Sequence, residues 1–92
     1  MSVSEKEVEA ELIRKVQDEL GGVSLKTHVK NWPDRVCFIP DGRCFFVELK
    51  RPRGGRLSEG QKAALVQLGN LGHHIYTARC YLDVFNIIAD QR

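Results

Sequence analysis

The sequence predicts an α/β fold, a mixed sheet of about four strands flanked by helices in the order α-β-β-β-α-β-α. Three observations carry this expectation. An apolar stripe at helical spacing opens the chain behind a capping signal. A Pro-Asp-Gly turn joins two apolar runs at its centre, and a second capped helix separates that hairpin from a last short strand. At 92 residues the chain supports a single domain, residues 1–92, with a modest core and little room for a separate specificity module.

The elements follow in order. Ser4-Glu5-Lys6-Glu7 is a capping box, with Glu at the third position after Ser. The helix it starts carries Val8, Leu12, Ile13, Val16 and Leu20 along one face, and Gly21-Gly22 ends it. Residues 24–30 form the first strand. Ile39-Pro40-Asp41-Gly42-Arg43 predicts a three-residue hairpin loop, a type I turn closed by a glycine bulge, with Pro40 presetting φ and Gly42 taking positive φ. Ser58-Glu59-Gly60-Gln61 is a second capping box, opening a helix with Ala64, Leu65 and Leu68 on one face that ends around residues 69–72. Residues 74–78 read as the last strand, parallel to its neighbour because a helical crossover precedes it. Residues 81–91 read as a short amphipathic helix with Leu82, Phe85, Ile88 and Ala89.

The hairpin loop sets the pairing. If Ile39 faces Arg43, then Val36 faces Phe46 and Asp34 faces Glu48. Lys50 shares their side because residues two apart on a strand point the same way. The strand around Glu48 is otherwise apolar on both faces, as in a covered sheet, so opposed carboxylates there repel unless a cation or a proton intervenes. An isolated Glu-x-Lys is an ordinary salt bridge at a strand end; with Asp34 in register it reads as a cation site. On the first helix Glu9 falls inside the apolar arc, whereas Glu7 and Glu11 project outside it. An acid on the core-facing arc is costly unless paired or metal-bound, so Glu9 is the expected helix-borne acid. Glu5 lies on the same arc, but in the first turn, where the helix dipole gives it an ordinary reason to exist, and it ranks behind Glu9.

These residues resemble the VRR-NUC domain, a small branch of the PD-(D/E)xK nuclease superfamily, in its minimal stand-alone form. The matches run in order through Glu9-x-x-Leu12, Gly21-Gly22, Pro33-Asp34-Arg35, Glu48-Leu49-Lys50, the loop from Arg51 to Arg56, and Ser58-x-x-Gln61. Together they span residues 4 to about 78; a lone Glu-x-Lys is weak, but the ordered set is specific. One position departs from the pattern. Many members carry Gly two residues before the Pro, where this chain has Asn31, the residue next most tolerant of left-handed backbone.

The resemblance implies Mg²⁺ or Mn²⁺ held by Asp34, Glu48, the Leu49 carbonyl and Glu9. Lys50 is then expected to orient the attacking water or stabilise charge on the phosphate, and Gln61 to reach the site. Gln61 also has an ordinary role as the capping partner of Ser58, and both roles stand open. The implied activity is metal-dependent, structure-selective DNA endonuclease cleavage. Stand-alone members resemble Holliday-junction resolvases, so the expected substrate is a four-way junction, nicked in pairs by a homodimer. Cleavage of flaps, other branched DNA or single strands, and a non-catalytic DNA-binding module, are the alternatives.

Charge distribution fits an anionic substrate better than the net charge of +2 does. Glu5, Glu7, Glu9 and Glu11 concentrate near the start, while Lys50, Arg51, Arg53, Arg56 and Lys62 follow the central strand. The Gly-containing basic loop Arg51 to Arg56, with Arg35 and Lys62, supplies the expected DNA contacts. Trp32 is either a core anchor or a stacking surface for a base. No apolar run approaches a membrane span, the N-terminus lacks a signal-peptide pattern, and three cysteines without a CxxC suit a reducing compartment. An intracellular location, cytoplasmic or nucleoid-associated, is therefore expected. Cys37 and Cys44 fall on opposite hairpin faces and His73 and His74 diverge along a strand, which weighs against structural zinc.

Overall fold

The computed structural model describes residues 3–92. Its elements are α1 (Glu5–Leu20), β1 (Val23–Lys26), β2 (Arg35–Ile39), β3 (Arg43–Leu49), α2 (Glu59–Asn70), β4 (Ile75–Ala78) and α3 (Tyr81–Asp90). The strands form one sheet in the order β1-β2-β3-β4, antiparallel except for the parallel β3–β4 pair. This is the expected fold class and element order.

Helix α1 begins where its capping box predicts. Ser4 Oγ accepts from Glu7 N and the Glu7 carboxylate accepts from Ser4 N, each at 3.1 Å. It ends on Gly21 at φ 67°. Gly22 is needed for a different reason: a Cβ there would lie 2.2 Å from the Phe38 carbonyl oxygen. Only glycine lets the chain leave α1 and pass this closely over β2. Val8, Leu12 and Val16 are fully buried, with Ile13 and Leu20 at the margins of the stripe.

The hairpin register is the predicted one, with Ile39 opposite Arg43 and Val36 opposite Phe46. The turn differs in detail. Asp41 takes positive φ (69°) as well as Gly42 (72°), but loop length sets the register and is unchanged. Strand β1 stops at Lys26, short of the expected residue 30. His28 adopts left-handed backbone at φ 55°, which breaks the extended run, and Asn31 does so at φ 69°. Local hydrogen bonds hold the connecting segment. Thr27 N donates to the Asp34 carbonyl at 3.0 Å, Thr27 Oγ1 to the Pro33 carbonyl at 2.7 Å, and Trp32 N to the Val29 carbonyl at 3.1 Å.

The main core lies between one sheet face and the pair α1 and α3. There Val8, Leu12 and Val16 meet Cys37, Phe45, Val47 and Leu49 from the sheet and Val84, Ile87 and Ile88 from α3. Phe46 and Glu48 alternate to the opposite face, the side of α2, where Ala64 and Leu68 are buried and Leu65 half-buried. Helix α3 turns out differently from the expected stripe. It is apolar on two arcs; Val84, Ile87 and Ile88 pack inward, leaving Leu82, Phe85 and Ala89 exposed. No helix among the described residues is long and apolar enough to cross a membrane.

Candidate active site

Asp34 and Glu48 meet at the end of the sheet. Glu48 sits on β3 and is only 1% exposed. Asp34 immediately precedes β2, and its Oδ2 accepts from Leu49 N at 2.7 Å, extending the ladder by a side chain and fixing the carboxylate. The two acids confront each other there. Burial first, then the adjacent Asp34 carboxylate, with Glu5 adding a little, push the Glu48 carboxyl up to about 8 against the opposing pull of Lys50.

Gln61 ties this pair to Lys50. Its Nε2 donates to Glu48 Oε2 at 3.2 Å, and its Oε1 accepts from Lys50 Nζ at 3.3 Å. The same Oε1 accepts from Ser58 N at 2.9 Å, while Gln61 N donates to Ser58 Oγ at 3.1 Å. One side chain therefore completes the capping box and reaches the acids, so the two sequence readings of Gln61 are compatible. Glu5, Asp34, Glu48, Lys50, Arg56 and Gln61 line a recess of about 370 Å³.

Glu9 and Arg35 are placed otherwise than a direct role in such a recess requires. Both belong to the α1 side of the sheet, whereas Glu48 faces α2. Arg35 is 6% exposed; Nη1 donates to Glu9 Oε2 at 2.8 Å, Nε to Ser24 Oγ at 2.8 Å and Nη2 to the Ser24 carbonyl at 2.9 Å. This corrects the expectation of Arg35 as a DNA contact: its guanidinium is buried and engaged inside the protein. The apolar-arc argument for Glu9 finds an ion-pair partner in Arg35, and Glu9 lines a second recess that also borders Asp34. Glu5 lines both recesses and bears electrostatically on Glu48, which brings it closer to the acid pair than its sequence ranking suggested.

The basic loop folds back over the strand end. Arg51 and Arg56 line the Glu48 recess, while Arg53 turns with Arg51 toward Ser4 and Lys6 at the start of α1. Gly55 permits the fold-back, since a Cβ there would lie 3.1 Å from Arg51 N and 3.2 Å from Lys50 Cβ. Lys62 lies outside these recesses and pairs on the surface with Glu59 at 3.4 Å. A residue that the sequence did not single out holds the loop. Arg79 Nη1 donates to the Arg51 carbonyl at 3.1 Å and Nη2 to the Gly55 carbonyl at 2.9 Å, while Asp83 Oδ2 accepts from Arg79 N at 2.7 Å. The signal was present in the topology. Parallel pairing sets Ala78 beside Leu49, so the next residue stands where the loop leaves β3.

The donor set suits a hard divalent cation. No group of three or more His, Cys, Asp or Glu side chains converges among the described residues. Mg²⁺, however, is commonly held by one or two carboxylates, with water and phosphate completing its shell. Asp34 and Glu48 supply such a pair beside an open, mostly polar recess. Their mutual repulsion, seen in the raised Glu48 proton affinity, is what a cation relieves.

No family model and no curated protein sequence matches this chain. Among solved structures, a VRR_NUC domain superposes with a TM-score of 0.83, covering 92% of this chain and 94% of that chain at 20% sequence identity. That likeness agrees with the small α/β architecture, the mixed four-stranded sheet and the order of the helices. The chain has the fold of a VRR_NUC domain.

Proposed function

We propose that residues 1–92 form one domain of the VRR-NUC family, a metal-dependent, structure-selective DNA endonuclease that resolves four-way junctions by paired nicking as a homodimer. The observation that carries this reading is buried Glu48 set against half-buried Asp34, two mutually repelling acids linked through Gln61 to Lys50 at an open recess.

Asp34 and Glu48 would hold Mg²⁺ or Mn²⁺ with the Leu49 carbonyl, with Glu5 and Glu9 as further acids at the edge of the site. A cation bound there supplies Lewis-acid polarisation of the scissile phosphate and acidifies water. The chain's own groups do the remaining work. Lys50, steadied by Gln61, presents its ammonium to the phosphate or the attacking water. Arg51 and Arg56 neutralise neighbouring phosphates, and Arg79 keeps their loop against the site. Arg35 sets the position of Glu9. A junction needs two symmetric cuts, and one active site cuts one strand at a time. The exposed arc of α3, with Leu82 at 65%, Phe85 at 59% and Tyr81 at 44% exposure, supports a two-fold contact that would supply the second site. Tyr76 is not open to such a contact: it is half-buried, packing edge-on against Phe45 and donating to Asp90.

The test is a panel of labelled substrates with Mg²⁺ or Mn²⁺: an immobile four-way junction, a flap and a plain duplex. Paired nicks confined to the junction are expected. Flap cleavage alone would keep the chemistry and remove the resolvase assignment. Tight junction binding with no product in either metal would leave a non-catalytic DNA-binding module.

A further inference from the structure

Two recesses flank the acid pair, and only one contains the basic loop. The other, of about 430 Å³, shares Glu5, Asp34 and Leu49 with the first, takes Glu9 from α1, and is otherwise walled by β1 and the segment after it, with Lys26, Thr27, His28, Lys30 and Trp32. Its volume lies in the range of small-ligand sites. Its chemistry is divided: the ammonium groups of Lys26 and Lys30, the His28 imidazole and the Trp32 indole form the wall away from α1, and the carboxylates of Glu5, Glu9 and Asp34 form the side nearest the acid pair. Lys26, His28 and Lys30 are exposed, and none makes an ion pair among the described residues.

The wall is built rather than loose. Thr27 is tied to Asp34 and Pro33 through its amide and hydroxyl, Trp32 N closes on Val29, and the indole packs edge-on against Phe46 at 6.0 Å. Two non-glycine residues, His28 and Asn31, are held there in left-handed backbone, a conformation that persists only where the surroundings impose it. Because the wall hydrogen-bonds directly to Asp34, a ligand in this recess is registered against the acid pair.

We propose that this recess is a nucleotide subsite for the DNA strand being cut, on the opposite side of the scissile phosphate from the Arg51–Arg56 loop. Lys26 and Lys30 take the phosphate, and Trp32 offers a face to the base. Cations that track the backbone beside an aromatic plane are the combination that binds single-stranded nucleic acid. The inference rests on the endonuclease reading for its direction along the strand, but not for its ligand class.

The chain contains one tryptophan, so selectively excited tryptophan emission comes from Trp32 in this recess, free of its two tyrosines. The experiment titrates the full chain with a short oligothymidylate at low salt in EDTA and in Ca²⁺, following Trp32 emission. The anisotropy of a labelled copy of the oligonucleotide is followed in parallel. Saturable quenching is expected, with affinity falling about tenfold in the Lys26→Ala/Lys30→Ala double variant. That variant alters only exposed side chains, and its melting temperature serves as the folding control. Trp32→Phe, which keeps an aromatic edge against Phe46, should weaken binding by a smaller factor. Binding by anisotropy with unchanged Trp32 emission overturns the proposal, as does wild-type affinity in the double variant, or no binding at low salt. Quenching that survives a failure to cleave any DNA removes the endonuclease reading and leaves the subsite. Cleavage with a silent Trp32 does the reverse.

Discussion

Replacing Glu48 with Gln should stabilise the protein at alkaline pH while abolishing its activity. The carboxyl is 1% exposed and faces Asp34, and burial together with that neighbour raises it from 4.5 to about 8. The sign follows from linkage. Between those values the folded state holds a proton that the unfolded state has released, so stability falls as pH rises through that window and levels off above it. A separation of this size corresponds to about 5 kcal/mol at full ionisation. Water and ions entering the open recess offset part of it, leaving about 2–3 kcal/mol for a melt to register. The amide keeps an acceptor for Gln61 Nε2 and adds a donor toward Asp34, so the hydrogen bonds survive the change. Thermal melts across pH 5 to 9 in EDTA should nearly coincide at pH 5, with the variant melting about 10 °C higher at pH 9. Adding Mg²⁺ at high pH should close the gap by stabilising the wild type alone. A wild type whose stability does not decline between those pH values, or a variant destabilised equally throughout, would refute the reasoning.

Other perturbations separate the parts of the site. Arg79→Ala frees the Arg51–Arg56 loop and should raise KM for DNA about tenfold with a smaller change in kcat; Arg79→Lys, which cannot bridge both carbonyls in the same way, should restore little. The salt dependence of DNA binding should become shallower in the same variant, because fewer phosphates are neutralised. Glu9→Gln removes the carboxylate partner of buried Arg35 and should cost about 3 kcal/mol in denaturant melts, whereas Glu5→Gln, in the exposed first turn, should leave stability nearly unchanged. Gly55→Ala should impair DNA binding without altering the melt, since the clash is confined to the surface loop.

Much of this arrangement was legible because it follows from local rules. The capping boxes at Ser4 and Ser58, the glycine end of α1 and the Ile39–Arg43 pairing depend on short-range geometry, and each is found in place. Asp34 could be set opposite Glu48 because antiparallel pairing leaves one solution once the loop length is known. What was not legible depends on which sheet face a residue occupies and on contacts between distant segments. Glu9 was correctly placed on the core-facing arc, but periodicity cannot see that Arg35 waits there on β2. Arg35 looked like a free cation because the Pro-Asp-Arg spacing does not reveal Ser24 beneath it. The same holds for α3, whose two apolar arcs fit one pattern equally well until α1 and the sheet select one of them.

Asp34 and Glu48 are proposed to hold a divalent cation on which DNA cleavage depends. The most direct measurement is cleavage of the labelled junction by wild type and by Asp34→Asn, each in Mg²⁺, in Mn²⁺ and in EDTA. Product from the wild type in metal alone, with none from the variant in any condition, is the predicted result. Product that persists in EDTA, or an Asp34→Asn protein as active as the wild type, would contradict it.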